Sequence, residues 1–348
     1  MAGFEPITQT LGAGAAAFLV TRIVGGMVAN SAQNRGWLDH PNNRSSHRRP
    51  VPRIGGVVVV PVCAMAVLLD GQTRMHLVVP AVVVGLALVG LIDDFLGIGI
   101  GVRLAAQVLG SAITIAFSPS LRTIRMFGST WDFGVGLTIL MFCWILVSIN
   151  VFNFVDGIDG MAGGLLLANS VTWTVVALDS GFSARIGVVA LGCSVGFLAL
   201  NRSPARIFLG DVGSFGIGYL LAVLPLSYSS VASVLAVPVF VALPSLADTF
   251  CTAARRALRG ENLFLAHRSH LYQRLADRFG HSGVSAITCL ISIGSGLTGW
   301  FICIRVSDGS IPVLGGWLAA LQFLAIFSSV AIFGSRFDNH ADTQQEGT

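Results

Sequence analysis

Long apolar stretches alternate with short polar segments along almost the whole chain. Within a bilayer only helices and closed barrels satisfy the backbone, and these stretches lack the alternation of strands. The pattern therefore predicts an all-α, polytopic integral membrane protein with about 11 transmembrane helices in a single domain over residues 1–348. The predicted spans are about 9–29, 54–69, 76–92, 103–118, 135–155, 161–178, 185–200, 213–227, 231–250, 284–304 and 313–333.

Composition narrows the class of protein further. Hydrophobic residues make up 54% of the 348 residues and charged residues 11%, whereas soluble domains carry roughly 25% charged residues. So few charges exclude a soluble enzyme, a disordered tail and a nucleic-acid-binding protein. The six cysteines occur singly, so we expect free thiols and neither a zinc site nor a disulfide framework.

The basic residues are distributed unequally between the two sides of the predicted bundle. All 21 are arginine. Fifteen fall on the side that holds the loop after the first span and the C-terminal tail, and five fall on the opposite side. The positive-inside rule places the richer side in the cytoplasm, with the N-terminus outside and the C-terminus inside.

Nearly all polar motifs lie on that arginine-rich side. They occupy five segments, at about 31–53, 93–102, 153–164, 201–214 and 251–283. The opposite loops carry few such groups. We therefore expect a cytoplasmic-face active site. The candidate residues are Asn42, Arg44, His47, Arg53, Asp93, Asp94, Asn150, Asn153, Asp156, Asp159, Arg206, Asp211, His267, Arg268 and His270.

Single motifs leave alternatives open. Adjacent carboxylates such as Asp93 and Asp94 resist desolvation beside an apolar run unless a cation or donor compensates, although one aspartate alone could be a solvated cap. Asp156 and Asp159 share a face if they are helical, but Gly157 between them suggests a turn. A His-x-x-His pattern alone is weak. The combination is more specific than any member.

The residue types point to phosphate chemistry with a hard divalent cation. Carboxylate and amide oxygens suit Mg²⁺, which takes one or two protein carboxylates together with waters and substrate phosphates. The guanidinium group is always charged and binds phosphate bidentately. Because the chain contains no lysine, a Walker-type phosphate loop and ATP-driven transport are excluded.

The motifs, taken in order, closely resemble those of the polyprenyl-phosphate N-acetylhexosamine-1-phosphate transferases, also called glycosyltransferase family 4. They read Asp-x-Pro-Asn-x-Arg-Ser-Ser-His, Pro-x-Pro-Arg-x-Gly-Gly, Asp-Asp, Asn-x-x-Asn-x-x-Asp-Gly-x-Asp-Gly, Gly-Asp-x-Gly-Ser and His-x-x-His, from about Asp39 to Arg274. The His-Arg-Ser-His form is similar to the N-acetylglucosamine branch or the branch that starts O-antigen synthesis. Ile54 and Met161 are small departures.

The resemblance implies transfer of a sugar 1-phosphate from a UDP-sugar to undecaprenyl phosphate, with release of UMP, at the bacterial inner membrane. It implies Mg²⁺, or Mn²⁺ as a substitute, on Asp211 and Asn153. It assigns Asp93 and Asp94 to lipid-phosphate activation or to support of the metal and the diphosphate. It places Asp156 and Asp159 near the nucleotide and sugar. It matches His267 and His270 to the histidine motif. A homodimer is compatible with the family.

Several alternatives stay open from the sequence. A secondary transporter of an anionic solute is the second functional class, although such proteins place charges near the bilayer midplane. The donor could carry N-acetylglucosamine or a modified relative such as N-acetylfucosamine. The acceptor phosphate could attack directly, or an aspartate could first form an aspartyl-phosphate. We favour direct attack.

Overall fold

The computed structural model describes residues 7–41, 46, 49–70, 75–118, 122–126, 129–227, 235–262, 268–306 and 312–345. In these residues the chain forms twelve α-helices and one antiparallel hairpin of two strands, β1 (Thr123–Met126) and β2 (Ser129–Asp132). The helices are α1 (Ile7–Asn34), α2 (Gly56–Leu68), α3 (Val78–Leu96), α4 (Ile100–Phe117), α5 (Val135–Val155), α6 (Met161–Asp179), α7 (Arg185–Asn201), α8 (Gly210–Ser227), α9 (Val237–Leu258), α10 (Leu271–Phe279), α11 (His281–Trp300) and α12 (Pro312–Gln345). A π-helical segment, Phe301–Val306, continues α11.

The predicted all-α membrane fold is confirmed. Eight of the described helices are long and apolar enough to cross a membrane, and α2, α7 and α8 are shorter apolar helices. These eleven helices correspond one to one with the eleven predicted spans. The boundaries shift at two site-forming places: α8 begins at Gly210 instead of 213, and α9 continues to Leu258 instead of 250.

Two elements were not predicted. Helix α10 has only nine residues, with strongly separated polar and buried faces, so a search for long apolar runs cannot find it. The hairpin lies in the loop after α4, where Thr123 pairs with Asp132 and Ile124 with Trp131. Both elements are short and lie between spans, so they add to the helical architecture without changing it.

Helix α8 is surrounded by its neighbours α2, α3 and α5, while α6, α7, α9 and α11 pack together beside it. Helices α3 and α8 approach closely at Gly90, where a Cβ would overlap the backbone carbonyl of Asp211. Small residues permit such approaches between membrane helices. The contact brings the polar end of α3 directly beside the first turn of α8.

The outer surface of the bundle is apolar. Large hydrophobic side chains on several helices are about half exposed or more, which suits contact with lipid and not with water. Examples are Leu104 and Leu109 on α4, Ile139 and Leu140 on α5, and Leu321 and Leu324 on α12. The exposed faces agree with the multi-pass membrane arrangement.

Candidate active site

Three carboxylates and two guanidinium groups meet where α3 ends and α8 begins. We call Asp93, Asp94 and Asp211 the acidic cluster. Arg53, from the segment before α2, and Arg103, from the first turn of α4, both lie against it. Four separate parts of the chain therefore build one charged site.

Asp94 caps helix α8 from a neighbouring helix. Its Oδ1 accepts the backbone N–H of Asp211 at 3.1 Å, and its Oδ2 accepts that of Val212 at 3.0 Å. The side chain is 2% exposed. The first N–H groups of a helix have no partner within it, and the helix dipole favours an anion there. Asp94 thus fixes Asp211 in place and explains why α8 starts at Gly210.

Asp93 has different surroundings from its neighbour in sequence. Its Oδ2 accepts a hydrogen bond from Arg103 Nη1 at 3.0 Å. The same nitrogen lies 3.7 Å from Asp211 Oδ2. Arg103 therefore joins Asp93 to Asp211. Sequence reasoning used Arg103 only in the count of charges, although an arginine one short loop after the paired aspartates was a usable signal.

Arg53 faces the opposite side of Asp211. Its Nη2 lies 3.5 Å from Asp211 Oδ1 and 3.7 Å from Asp94 Oδ1, while its Nε lies 3.8 Å from Asp39 Oδ2. Burial acts to lower the pKa of Arg53, but the carboxylates around it outweigh this effect and raise the pKa. With 42% of its side chain exposed, Arg53 can still reach a ligand.

The two candidate asparagines at the end of α5 have different roles. Asn153 donates from Nδ2 to Asp211 Oδ1 at 2.7 Å and to Ser214 Oγ at 2.8 Å. Asn150 instead donates to Gln107 Oε1 at 2.7 Å, which ties α5 to α4. Asn153 is therefore part of the site, and Asn150 is bound between helices next to it.

Asp156 and Asp159 lie on a turn, because α5 ends at Val155 and α6 begins at Met161. The pKa of Asp156 is raised well above its usual range, chiefly by burial; Arg53 acts against the rise, and the charges of Asp211 and Asp94 add to it. Asp156 therefore interacts electrostatically with Arg53 and with the acidic cluster.

Asp159 has other partners. Its Oδ2 accepts the N–H of Ala205 at 3.2 Å, and its Oδ1 lies 3.5 Å from His281 Nδ1. Burial acts to raise the pKa of Asp159, but hydrogen bonds from His281, Ser203 and Ala205 outweigh it and lower the pKa. These contacts join the α5–α6 turn to the segment before α8 and to α11.

His270 is buried just before α10, with its Nδ1 3.8 Å from Asp248 Oδ1. Asp248, on α9, also accepts the backbone N–H groups of Leu271 at 2.8 Å and Tyr272 at 3.2 Å. Sequence reasoning missed Asp248. An acidic residue inside an otherwise apolar span was the available signal.

The remaining predicted residues lie at the surface or outside the described residues. Arg206 donates to Asn30 Oδ1 at 3.1 Å, and Arg268 to Asp277 Oδ1 at 2.5 Å, both on exposed surface. Four other candidate residues, which we expected to bind substrate phosphate or, for the histidine of the last loop, to act in catalysis, lie outside the described residues: Asn42, Arg44, His47 and His267.

The described residues form eleven apolar helices, and at one end of the bundle a cluster of carboxylates lies against two partly exposed arginines. This arrangement defines a multi-pass membrane protein with a charged site that a polar ligand can reach. The chain belongs to glycosyl transferase family 4, which it matches over residues 76–229, and it is accordingly a membrane transferase. This confirms the family resemblance.

The relatives described below are also named as transferases. The chain is 32% identical over 295 residues to the probable undecaprenyl-phosphate N-acetylglucosaminyl 1-phosphate transferase of Bacillus subtilis (strain 168), covering 79% of each chain. It is 31% identical over 321 residues to the decaprenyl-phosphate N-acetylglucosaminephosphotransferase of Mycolicibacterium smegmatis, covering 81% of this chain and 79% of the relative. A phospho-N-acetylmuramoyl-pentapeptide-transferase of Thermotoga neapolitana is 33% identical over 144 residues, covering 39% and 48%.

Proposed function

We propose that this protein transfers an N-acetylhexosamine 1-phosphate from a UDP-sugar to a polyprenyl phosphate, undecaprenyl phosphate in particular, and releases UMP. The observation that carries the proposal is the acidic cluster held between Arg53 and Arg103 at one end of an apolar bundle. Binding of a diphosphate donor requires cationic side chains and a metal ion, and binding of a lipid acceptor requires a protein that lies in the membrane. The names of the relatives support a polyprenyl phosphate acceptor and transfer of a sugar phosphate.

Asp211 and Asn153 are the residues that we propose to hold Mg²⁺, with Mn²⁺ as a substitute. The Asn153 amide now donates to Asp211, so contact through its oxygen requires rotation of the amide. Within the described residues no group of three or more His, Cys, Asp or Glu side chains is arranged as a metal site. Asp211 and Asn153 nevertheless fit a Mg²⁺ site, because Mg²⁺ usually takes one or two protein carboxylates and completes its shell with waters and phosphates.

A bound Mg²⁺ would neutralise and orient the diphosphate. The chain's own cations supply the rest of the charge. Arg103 and Arg53 lie on two sides of Asp211, where their guanidinium groups can bind phosphate oxygens as charge shifts toward the leaving UMP.

Direct attack by the acceptor is the mechanism that we favour. A phosphate monoester has a second pKa of about 6, so at neutral pH it is mostly dianionic and needs orientation more than deprotonation. Asp93 orients it or takes its residual proton. One acceptor oxygen forms a bond to the phosphorus attached to the sugar, the bond from that phosphorus to the UMP oxygen breaks, and UMP leaves with the electron pair. The sugar–oxygen bond is untouched, so the anomeric configuration is retained.

An apolar groove of about 450 Å³ between α3 and α4 supports a lipid acceptor. Its lining includes Val89 on α3, one turn before Asp93, and Ala106 on α4, one turn after Arg103. Residues three and four apart on a helix lie on the same face. A lipid chain in this groove would therefore end next to the Asp93–Arg103 pair, where its phosphate is needed.

We place the site on the cytoplasmic face of the bacterial inner membrane, from the excess of arginine on that side. The product would start a cell-envelope polysaccharide such as O-antigen. N-acetylglucosamine is the first donor sugar to test, since two of the relatives are named for it. The transporter alternative is not favoured, because the acidic cluster and its two arginines lie at the ends of the helices and the relatives are named as transferases.

The test is nucleotide analysis after turnover by the purified protein with UDP-N-acetylglucosamine and undecaprenyl phosphate. We expect UMP and a lipid-linked sugar diphosphate, and added UMP should reverse the reaction. UDP as the primary product would refute the assignment. Recovery of a phosphosugar-enzyme in the absence of acceptor would refute direct attack. Uptake of an anionic sugar phosphate into liposomes, with no chemistry, would support the transporter.

A further inference from the structure

Helix α10 is anchored to α9 by a buried carboxylate. Asp248 accepts the backbone N–H groups of Leu271 and Tyr272, and it also accepts a hydrogen bond from Thr252 Oγ1 at 3.1 Å. Asp248 is 6% exposed. Because the carboxylate binds two N–H groups of the first turn, the direction of α10 and the position of Tyr272 are set by α9.

The Tyr272 side chain reaches from α10 to the end of α5. Its hydroxyl donates to the backbone carbonyl of Phe154 at 2.7 Å, and the residue is 6% exposed. This carbonyl is one of the last four of α5, which lack partners within the helix. Burial raises the pKa of Tyr272 well above its usual range, and the charges of Asp248 and Asp156 add to the rise. The hydroxyl therefore stays protonated and can donate.

Gly157 leaves the space that the tyrosine occupies. A Cβ at Gly157 would overlap the Tyr272 hydroxyl oxygen. Its next neighbours would be the Gln273 Nε2 at 3.1 Å and the Tyr272 Cζ at 3.3 Å, which are tight but tolerable distances from side-chain atoms. The glycine of the Asp156-Gly157 motif is thus matched to one particular hydroxyl group.

We propose that Tyr272 is a positioning residue for the segment 153–157, which carries Asn153 and Asp156, and that Gly157 is required because of the Tyr272 hydroxyl. Tyr272 acts through the Phe154 carbonyl and the turn that follows it. Helix α10 would in this way set the geometry of the metal-binding and phosphate-binding groups. The catalytic part of this inference rests on the proposed function, whereas the contact itself does not.

The test is a double-mutant cycle of Gly157→Ala and Tyr272→Phe in the full chain purified in detergent. Gly157→Ala should lower kcat/KM about tenfold or more, because the turn must shift to relieve the overlap. Tyr272→Phe should lower it about two- to tenfold, through loss of one hydrogen bond. It should also raise the Mg²⁺ concentration needed for half-maximal activity, which a purely structural role would leave unchanged.

The double variant decides the proposal. With the hydroxyl removed, the severe overlap disappears and only the contacts at 3.1 Å and 3.3 Å remain, so activity and thermal stability should rise from the level of Gly157→Ala toward that of Tyr272→Phe alone. Two controls keep the result specific. Tyr219→Phe removes the hydroxyl that is 2.6 Å from Thr114 Oγ1 within the bundle, and it should not rescue Gly157→Ala. Gly283→Ala adds a methyl group where no atom lies within 4 Å, and it should behave like wild type.

A Gly157→Ala variant with wild-type activity and stability would overturn the proposal, as would a double variant no better than Gly157→Ala alone. Rescue of stability without any shift in the Mg²⁺ dependence of Tyr272→Phe would refute the positioning role. If the wild-type protein shows no transferase activity, the proposed function fails by itself. The stability cycle would then still support or refute the match between Tyr272 and Gly157.

Discussion

Replacing Asp93 and replacing Asp94 should have different effects on the protein. Asp94 binds two backbone N–H groups at the start of α8, whereas Asp93 binds Arg103. We therefore expect Asp94→Ala to lower both stability and activity. Asp93→Ala should lower activity and leave stability nearly unchanged.

The size of the effect follows from the groups left without partners. Asp94→Ala leaves two buried N–H groups unsatisfied, at about 1–3 kcal/mol each, and removes a favourable charge from the helix N-terminus. Together these changes should lower the free energy of unfolding by about 2–7 kcal/mol. Asp93→Ala leaves Arg103 a second carboxylate, Asp211, at 3.7 Å, and should cost about 1 kcal/mol or less.

The assay is thermal denaturation in detergent, followed by tryptophan fluorescence, with turnover measured on the same samples. Asp94→Asn is the matched control. Its amide oxygen can accept one of the two N–H groups, so its stability should fall between those of Asp94→Ala and wild type. Equal unfolding midpoints for Asp93→Ala and Asp94→Ala would refute the separate roles that the structure indicates.

Three further predictions test the metal, the buried acid and the topology. Asp211→Asn should lower the rate by a factor of about 10² or more, and excess chelator should abolish activity; full activity in chelator would remove the metal from the mechanism. Asp156→Asn should raise the unfolding midpoint at pH 8 without Mg²⁺ and lose this advantage as the pH falls. A carboxyl group whose pKa is raised on folding loses stability as the pH rises from its unfolded pKa of about 4 toward its folded pKa, and an amide does not; a fixed difference at all pH values would contradict this prediction. A reporter fused after Thr348 should behave as cytoplasmic, and periplasmic activity there would move every motif to the wrong face.

The hydrophobic pattern by itself predicted the approximate positions of the eleven long or shorter apolar helices found among the described residues. A span of about 20 apolar residues is a local property, so it can be identified without knowledge of its neighbours. The ordered motifs likewise determined the family, because their residue types and spacing are local too. The pattern could not show α10, whose nine residues form a helix against α9, with Asp248 capping its first turn.

Only the tertiary structure decided what each polar residue does. Asp93 and Asp94 are adjacent in the chain, yet successive side chains on a helix point in different directions, so one meets Arg103 and the other caps α8. Asp156 and Asp159 separate for a similar reason, since the turn between them directs Asp159 toward Ala205 and α11. Roles of this kind depend on groups distant in sequence, and the sequence alone carries no distances between them.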